Sequence, residues 1–242
     1  MEEEECIQQV LKLTLIDGSL GVLDLGLNPQ FCSHLLQHDD DDSLPASPYP
    51  LYKNLASALF KSISQNIHTH KQQEWIQLIR DKGSQLLQVF KMINFHLHVR
   101  QPFFSHLKDG LKTVEGRCAV GDYTRMSPGA LILFNKCLVL QVQDVCKYAS
   151  FSEMLEAESI EKVLPGVKAL EQGVQIYRNF YPEEKERLSG VLAIRVTKPS
   201  SQLSDFMASI LRGLSYEGVQ RLVGMGIVHT EGTSLVALPP PR

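Results

Sequence analysis

The sequence predicts an α+β protein, with a small, mostly antiparallel β unit in mid-chain and helical segments on both sides. Three observations carry this prediction. Apolar residues recur at three- and four-residue spacing over residues 52–66, 73–92 and 203–223, the period of an amphipathic helix. From Phe95 the texture changes to polar–apolar alternation, the period of a strand. Between residues 113 and 196, short apolar runs are punctuated by Gly121-Asp122, Ser127-Pro128-Gly129 and Asn135-Lys136, so the chain turns often and each strand is brief.

Taken in order, residues 2–15 form a short amphipathic helix whose glutamates lie at its start, where they favour the helix dipole. The acidic run Asp39–Asp42, followed by Pro45, Pro48 and Pro50, cannot bury a core and reads as a linker near residues 38–50. Helices follow over 52–66 and 73–92. In the second, Trp75, Leu78, Ile79, Leu86, Val89 and Phe90 share one face, while Gly83 weakens the middle. Residues 94–99 are the first strand. Residues 102–110 are a helix, with Pro102 near its first turn and Gly110 at its end. Residues 113–118 return to strand. Residues 130–134 and 137–145 pair as a hairpin around Asn135-Lys136, and Ser150 caps a helix over 150–158. Residues 162–181 are an irregular, partly helical insertion, and 190–196 a closing strand. A helix over 203–223 and a frayed Pro239–Pro241 end complete the chain. The resulting division is a helical N-terminal extension (1–92), a β domain (93–198) and a C-terminal helical tail (199–242). A sheet of this size commonly closes as a barrel.

Composition narrows the class. With 43% hydrophobic and 21% charged residues, the 242-residue chain has the balance of a globular protein. No apolar run reaches the roughly 18–20 residues that span a bilayer, so no membrane partner is expected. Met1-Glu2-Glu3-Glu4-Glu5 has the wrong sign for a targeting peptide, which leaves cytosol or nucleus as the expected compartment. Five cysteines without a Cys-x-x-Cys pair argue against a zinc ribbon or a disulfide framework. The net charge of −3 is unevenly spread: residues 1–94 hold 7 Lys/Arg against 12 Asp/Glu, whereas residues 95–148 hold 7 against 4. The one net-basic stretch permits a phosphate-bearing partner. No P-loop, Ser-His-Asp order or dinucleotide glycine pattern is present, and no cofactor is expected.

That basic stretch contains the densest motif, Gly110-Leu111-Lys112-Thr113-Val114-Glu115-Gly116-Arg117. In a strand Glu115 and Arg117 share one face. Arg117 can act as a fork for a phosphate or base edge, with Glu115 orienting it and accepting from a base amine. Lys112 supplies a point charge or, desolvated, a base. The alternative is an internal ion pair pinning a barrel seam. Arg100, Lys108, Arg125, Lys136 and Lys147 are candidates for a phosphate-tracking rim. Tyr123 and Phe151 are candidates for base stacking, with a core role the favoured reading of Phe151. His96 and His98 share a face but lack a third ligand at recognisable spacing, so no metal site is assigned.

Residues 95–197 resemble the ASCH domain family, a branch of the PUA-like β-barrels. The resemblance rests on Phe95-His96-Leu97-His98-Val99, Pro102 and the helix to Gly110. It continues through Gly110-x-Lys112-x-x-Glu115-x-Arg117, the Gly121-Asp122 and Pro128-Gly129 turns, Phe151-Ser152-Glu153 and the last strand. With its acidic N-terminus and the run Tyr148-Ala149-Ser150-Phe151-Ser152-Glu153-Met154, the whole chain resembles plant RNA-binding members. The resemblance implies a PUA-like barrel whose cleft, floored by the motif, receives RNA or a modified nucleoside. Lys112, Glu115, Arg117, Arg100, Arg125 and Tyr123 are the expected contacts. Some bacterial members are amidohydrolases acting on 4-acetylcytidine. They use a lysine matching Lys112, a threonine three residues later and a downstream glutamate. Here Glu115 stands at the threonine's position, Thr113 is the nearest hydroxyl, and Glu156, Glu158 and Glu161 lie near the glutamate's distance. Three readings remain open: non-catalytic RNA binding, amide hydrolysis using Lys112, Thr113 and Glu115, and a coactivator-like role in which the helical flanks dock a protein.

Overall fold

The computed structural model of the chain describes residues 3–37, 50–64 and 73–227. The linker expected near 38–50 (Pro50 apart), the end of the 52–66 helix and Pro239–Pro241 lie outside the described residues. In chain order the elements are α1 (Glu3–Ser19), α2 (Pro29–Leu36), α3 (Leu51–Ser64), α4 (Gln73–Met92), β1 (Phe95–Leu97), α5 (Phe103–Asp109) and β2 (Val114–Cys118). A 3-10 turn (Gly121–Arg125) leads to β3 (Leu131–Phe134), β4 (Leu138–Tyr148), α6 (Phe151–Glu158), α7 (Ile160–Val163), α8 (Leu170–Arg178), α9 (Glu183–Ser189), β5 (Val191–Thr197) and α10 (Leu203–Ile227). They divide into two compact units, one of α1–α4 with α10 and one spanning Ile93–Ser201.

In the helical unit α10 packs on α1, α3 and α4, burying Leu203, Met207, Ile210, Leu211 and Leu214. Gly83, which weakens α4 as an isolated helix, has a packing role. A Cβ there would collide with Ile63, so glycine lets α3 and α4 approach closely. The helix α2 is not among the expected elements, although its signals are present in the sequence. Asn28 Oδ1 accepts from Gln30 N at 2.8 Å and Pro29 occupies the first turn. Ser215, at φ 56°, kinks α10.

The second unit is a five-stranded sheet in the order β1-β3-β4-β5-β2, with β1 parallel to β3 and all other pairs antiparallel. Asn135 (φ 49°), Lys136 (φ 62°) and Cys137 connect β3 to β4, the first two with the positive φ that suits a tight turn, and Cys137 N closes it by donating to Phe134 O at 3.0 Å. The helix α6 covers the sheet. Phe151, Met154 and Leu155 are fully buried with Val114, Cys118, Val191 and Ala193. Its start is capped as expected: Ser150 Oγ accepts from Glu153 N at 3.1 Å, and Glu153 returns a bond to Ala149 N at 2.8 Å. From α9, Glu186 accepts from Phe151 N at 2.5 Å and pairs with Arg178.

The expected barrel is a half-barrel. Among the described residues the edge strands β1 and β2 share no backbone pairing, and the space between them is a cavity.

Candidate nucleic-acid interface

Gly110 ends α5 in a left-handed conformation (φ 76°). The next two residues fold back, Leu111 N and Lys112 N both donating to His106 O at 2.9 and 3.0 Å. This turn carries the Lys112 side chain into the domain, where the residue is 3% exposed. Its ammonium donates to Val114 O at 2.7 Å and Val163 O at 2.5 Å and lies 3.2 Å from Glu115 Oε2. Those contacts account for all three N–H donors of a lysine. Burial lowers the Lys112 pKa and Glu115 only partly restores it.

The other oxygen, Glu115 Oε1, lies 2.9 Å from Arg117 Nε. Arg117 in turn donates from Nη2 to His98 O at 2.9 Å and is hydrogen-bonded to Tyr181. Burial opposes its charge most strongly, but the Glu115 carboxylate together with Tyr181 and Tyr123 more than offsets this and holds its pKa above the ordinary guanidinium value. The Arg117–His98 bond joins β2 to the end of β1, where a backbone ladder would otherwise close the sheet.

Above this floor lies a cavity of about 220 Å³. A cavity of about 150 Å³ already admits a benzene-sized ring, so this one has room for a heteroaromatic base. One side is the backbone after β1 (His98–Arg100) and the opposite side is Lys112 and Glu115–Arg117 of β2. The roof is the C-terminal end of α8 and its following turn, Ile176, Tyr177, Phe180 and Tyr181. Tyr177 stacks on Phe151 with centroids 4.0 Å apart. Burial pushes both tyrosines above the ordinary phenol value, so they keep their hydroxyl protons. Chemically, the site offers π-faces, a guanidinium and a carboxylate with a cation at each oxygen.

Residues 97–200 match the ASCH domain family. The chain carries an ASCH domain. ASCH domains have a PUA-like fold generally linked to RNA binding. Two solved structures are similar to the chain. A crystal structure of hypothetical protein PH0355 has 40% identity and a TM-score of 0.43, over 43% of this chain and 98% of that one. A solution structure of protein PF0455 from Pyrococcus furiosus has 39% identity and a TM-score of 0.40, over 44% and 98%. No curated protein matches the chain. The family match does not reach the acidic N-terminus, part of what carries the likeness to plant members.

Within the ASCH domain the residues read from the sequence divide in two. Lys112, Glu115, Arg117 and Arg100 line the cavity, and the Tyr123 ring lies 5.9 Å from the Arg117 guanidinium carbon. Arg125 lines a different, shallow depression and pairs with Asp122 at 3.3 Å. Phe151 is fully buried and serves the core. His96 and His98 are exposed, and no cluster of three metal-ligating side chains occurs among the described residues. Thr113, Glu156, Glu158 and Glu161 are not among the residues lining the cavity. Glu158 instead receives Arg195 at 2.8 and 2.9 Å and Tyr148 at 2.7 Å; burial opposes its charge, but these bonds hold its pKa below the ordinary carboxylate value. The aromatic roof was not expected. Its sequence signal is the cluster Tyr177, Phe180 and Tyr181 inside the segment read as irregular. No helix among the described residues is long and apolar enough to cross a membrane.

Proposed function

We propose that the ASCH domain binds RNA without catalysing a reaction on it, in the cytosol or nucleus, by taking one unpaired base into the cavity between β1 and β2. The observation that carries this reading is the pairing of an aromatic roof with the Lys112–Glu115–Arg117 floor. Single-stranded RNA is recognised by stacking splayed bases on aromatic rings and hydrogen-bonding their edges. The Arg117 guanidinium meets a base edge or its phosphate, Glu115 accepts from an exocyclic amine, and exposed Arg100 adds a cation at the mouth. Amide hydrolysis is less well supported. The residue three positions after Lys112 is a carboxylate tied to two cations, and the Lys112 donors are all engaged inside the protein.

Fluorescence anisotropy with a labelled pool of single-stranded and hairpin RNA, at two salt concentrations, tests the reading. Wild type binds more weakly at the higher salt. Arg117→Ala loses roughly 1–3 kcal/mol, and Arg100→Gln lowers the salt slope by about one phosphate contact. Near-UV circular dichroism verifies that the variants are folded. Absence of wild-type binding at either salt would overturn the proposal.

A further inference from the structure

Phe180 stands apart from the other aromatic residues of the roof. Tyr177 is stacked on Phe151, and Tyr181 lies against the same ring at 5.5 Å while bonded to Arg117. Phe180 stacks on no other ring among the described residues and is 44% exposed. It is also the one aromatic among their exposed large apolar side chains. Its backbone is held firmly: Phe180 N and Tyr181 N both donate to Tyr177 O at 2.9 Å. The guanidinium carbon of Arg100, at the end of β1, lies 5.4 Å from the Phe180 ring centroid. Both side chains border the cavity that contains Glu115 and Arg117. An anchored, exposed ring with a cation over one face has the two properties that a single-stranded nucleic acid requires of a stacking platform, a second π-face for the base and a charge for its phosphate.

We propose that Phe180 and Arg100 form a second nucleotide subsite at the mouth, which stacks the base next to the one in the cavity and holds the intervening phosphate. The subsite rests on the RNA reading of the cavity and adds to it that the ligand is a strand of at least two nucleotides. A free nucleoside or mononucleotide fills the cavity alone. The cavity residues then discriminate the inserted base, while Phe180 contributes affinity for its neighbour with little base preference, because every base has a π-face.

The test titrates the full chain, wild type and Phe180→Ala, with the four ribonucleoside 5′-monophosphates and with a random RNA trinucleotide pool, followed by NMR shift changes. Wild type should bind the trinucleotides about ten-fold or more tightly than the monophosphates, the gain expected of one stacked base. Phe180→Ala should lose most of that gain, its trinucleotide affinity falling by a larger factor than its monophosphate affinity. Arg100→Gln should reduce the gain mainly at low salt. Equal wild-type affinity for the two probes, or a gain that Phe180→Ala retains, overturns the second subsite and leaves the cavity reading standing. Failure of wild type to bind either probe overturns both.

Discussion

Replacing Glu115 by Gln tests whether the floor of the cavity is an ion cluster that holds the fold or a set of groups free for chemistry. The Lys112 side chain is 2% exposed, that of Glu115 8% and that of Arg117 16%, so solvent screens none of the three well. Removing the only carboxylate of this Lys112–Glu115–Arg117 cluster leaves two buried cations facing each other. Breaking a buried pair from one side costs roughly 3–5 kcal/mol. Glutamine still offers one acceptor, so the lower end, about 3 kcal/mol, is expected. For a unit of about a hundred residues this lowers Tm on the order of 10 °C.

The pH dependence supplies an independent check. In the folded wild type Lys112 titrates below its ordinary 10.5 because burial disfavours the charge, and Glu115 opposes that shift. Between the two values the unfolded chain binds more protons, so stability rises with pH. Without Glu115 the folded value falls further and the window widens downward. The variant therefore gains more stability than wild type as pH rises from about 7 towards 10, and its deficit narrows. Thermal unfolding followed by near-UV circular dichroism at about pH 7 and about pH 9.5 reads both quantities. A deficit under about 2 °C at neutral pH, or one that widens with pH, would refute the cluster. It would return Lys112 to the role of a solvated base.

Two further outcomes follow from the same geometry. Gly116→Ala puts a Cβ in collision with Tyr177 Oη and 2.8 Å from Met154 Cε, so it should lose roughly 1–3 kcal/mol by overpacking; an unchanged urea midpoint would contradict this contact. Purified wild type should release no acetate from 4-acetylcytidine, since Lys112 has its donors committed and Glu115 replaces the hydroxyl; turnover that Lys112→Ala abolishes would reverse that conclusion.

Local chemistry made much of the ASCH domain legible in the sequence. Pro102 and Gly110 delimit α5 to within a residue, and Asn135-Lys136 marks the β3–β4 turn because few residues accept positive φ there. The i, i+2 placement of Glu115 and Arg117 on one strand face follows from the pleat alone. What stayed hidden depends on distance along the chain. Lys112 is committed by Val163 O, 51 residues away, and no local pattern reports that acceptor. The roof is brought over the floor by α8, and the short helices α7, α8 and α9 are too brief to show a clear period in the sequence. Arg125 was grouped with the rim because a charge count carries no direction; its 3-10 turn points it to Asp122 instead.

The floor can both hold the fold and touch a ligand because of how the sheet ends. Had β1 and β2 paired through their backbones, the ladder would have filled the space that is now the cavity. Instead the strands stand apart. The group that bridges them is a side chain, Arg117 to His98 O across the gap, while Lys112 ties the start of β2 to Val163 O of α7. Side chains reach farther than backbone amides, so they can join the edges while leaving a void between them. That void has to contain polar groups, because the bridging group is an ion. The proposed RNA reading places a base among these π-faces, with a cluster of net charge +1 beside it. The open seam is thus the source of the cavity, and any change that zipped β1 to β2 would close it.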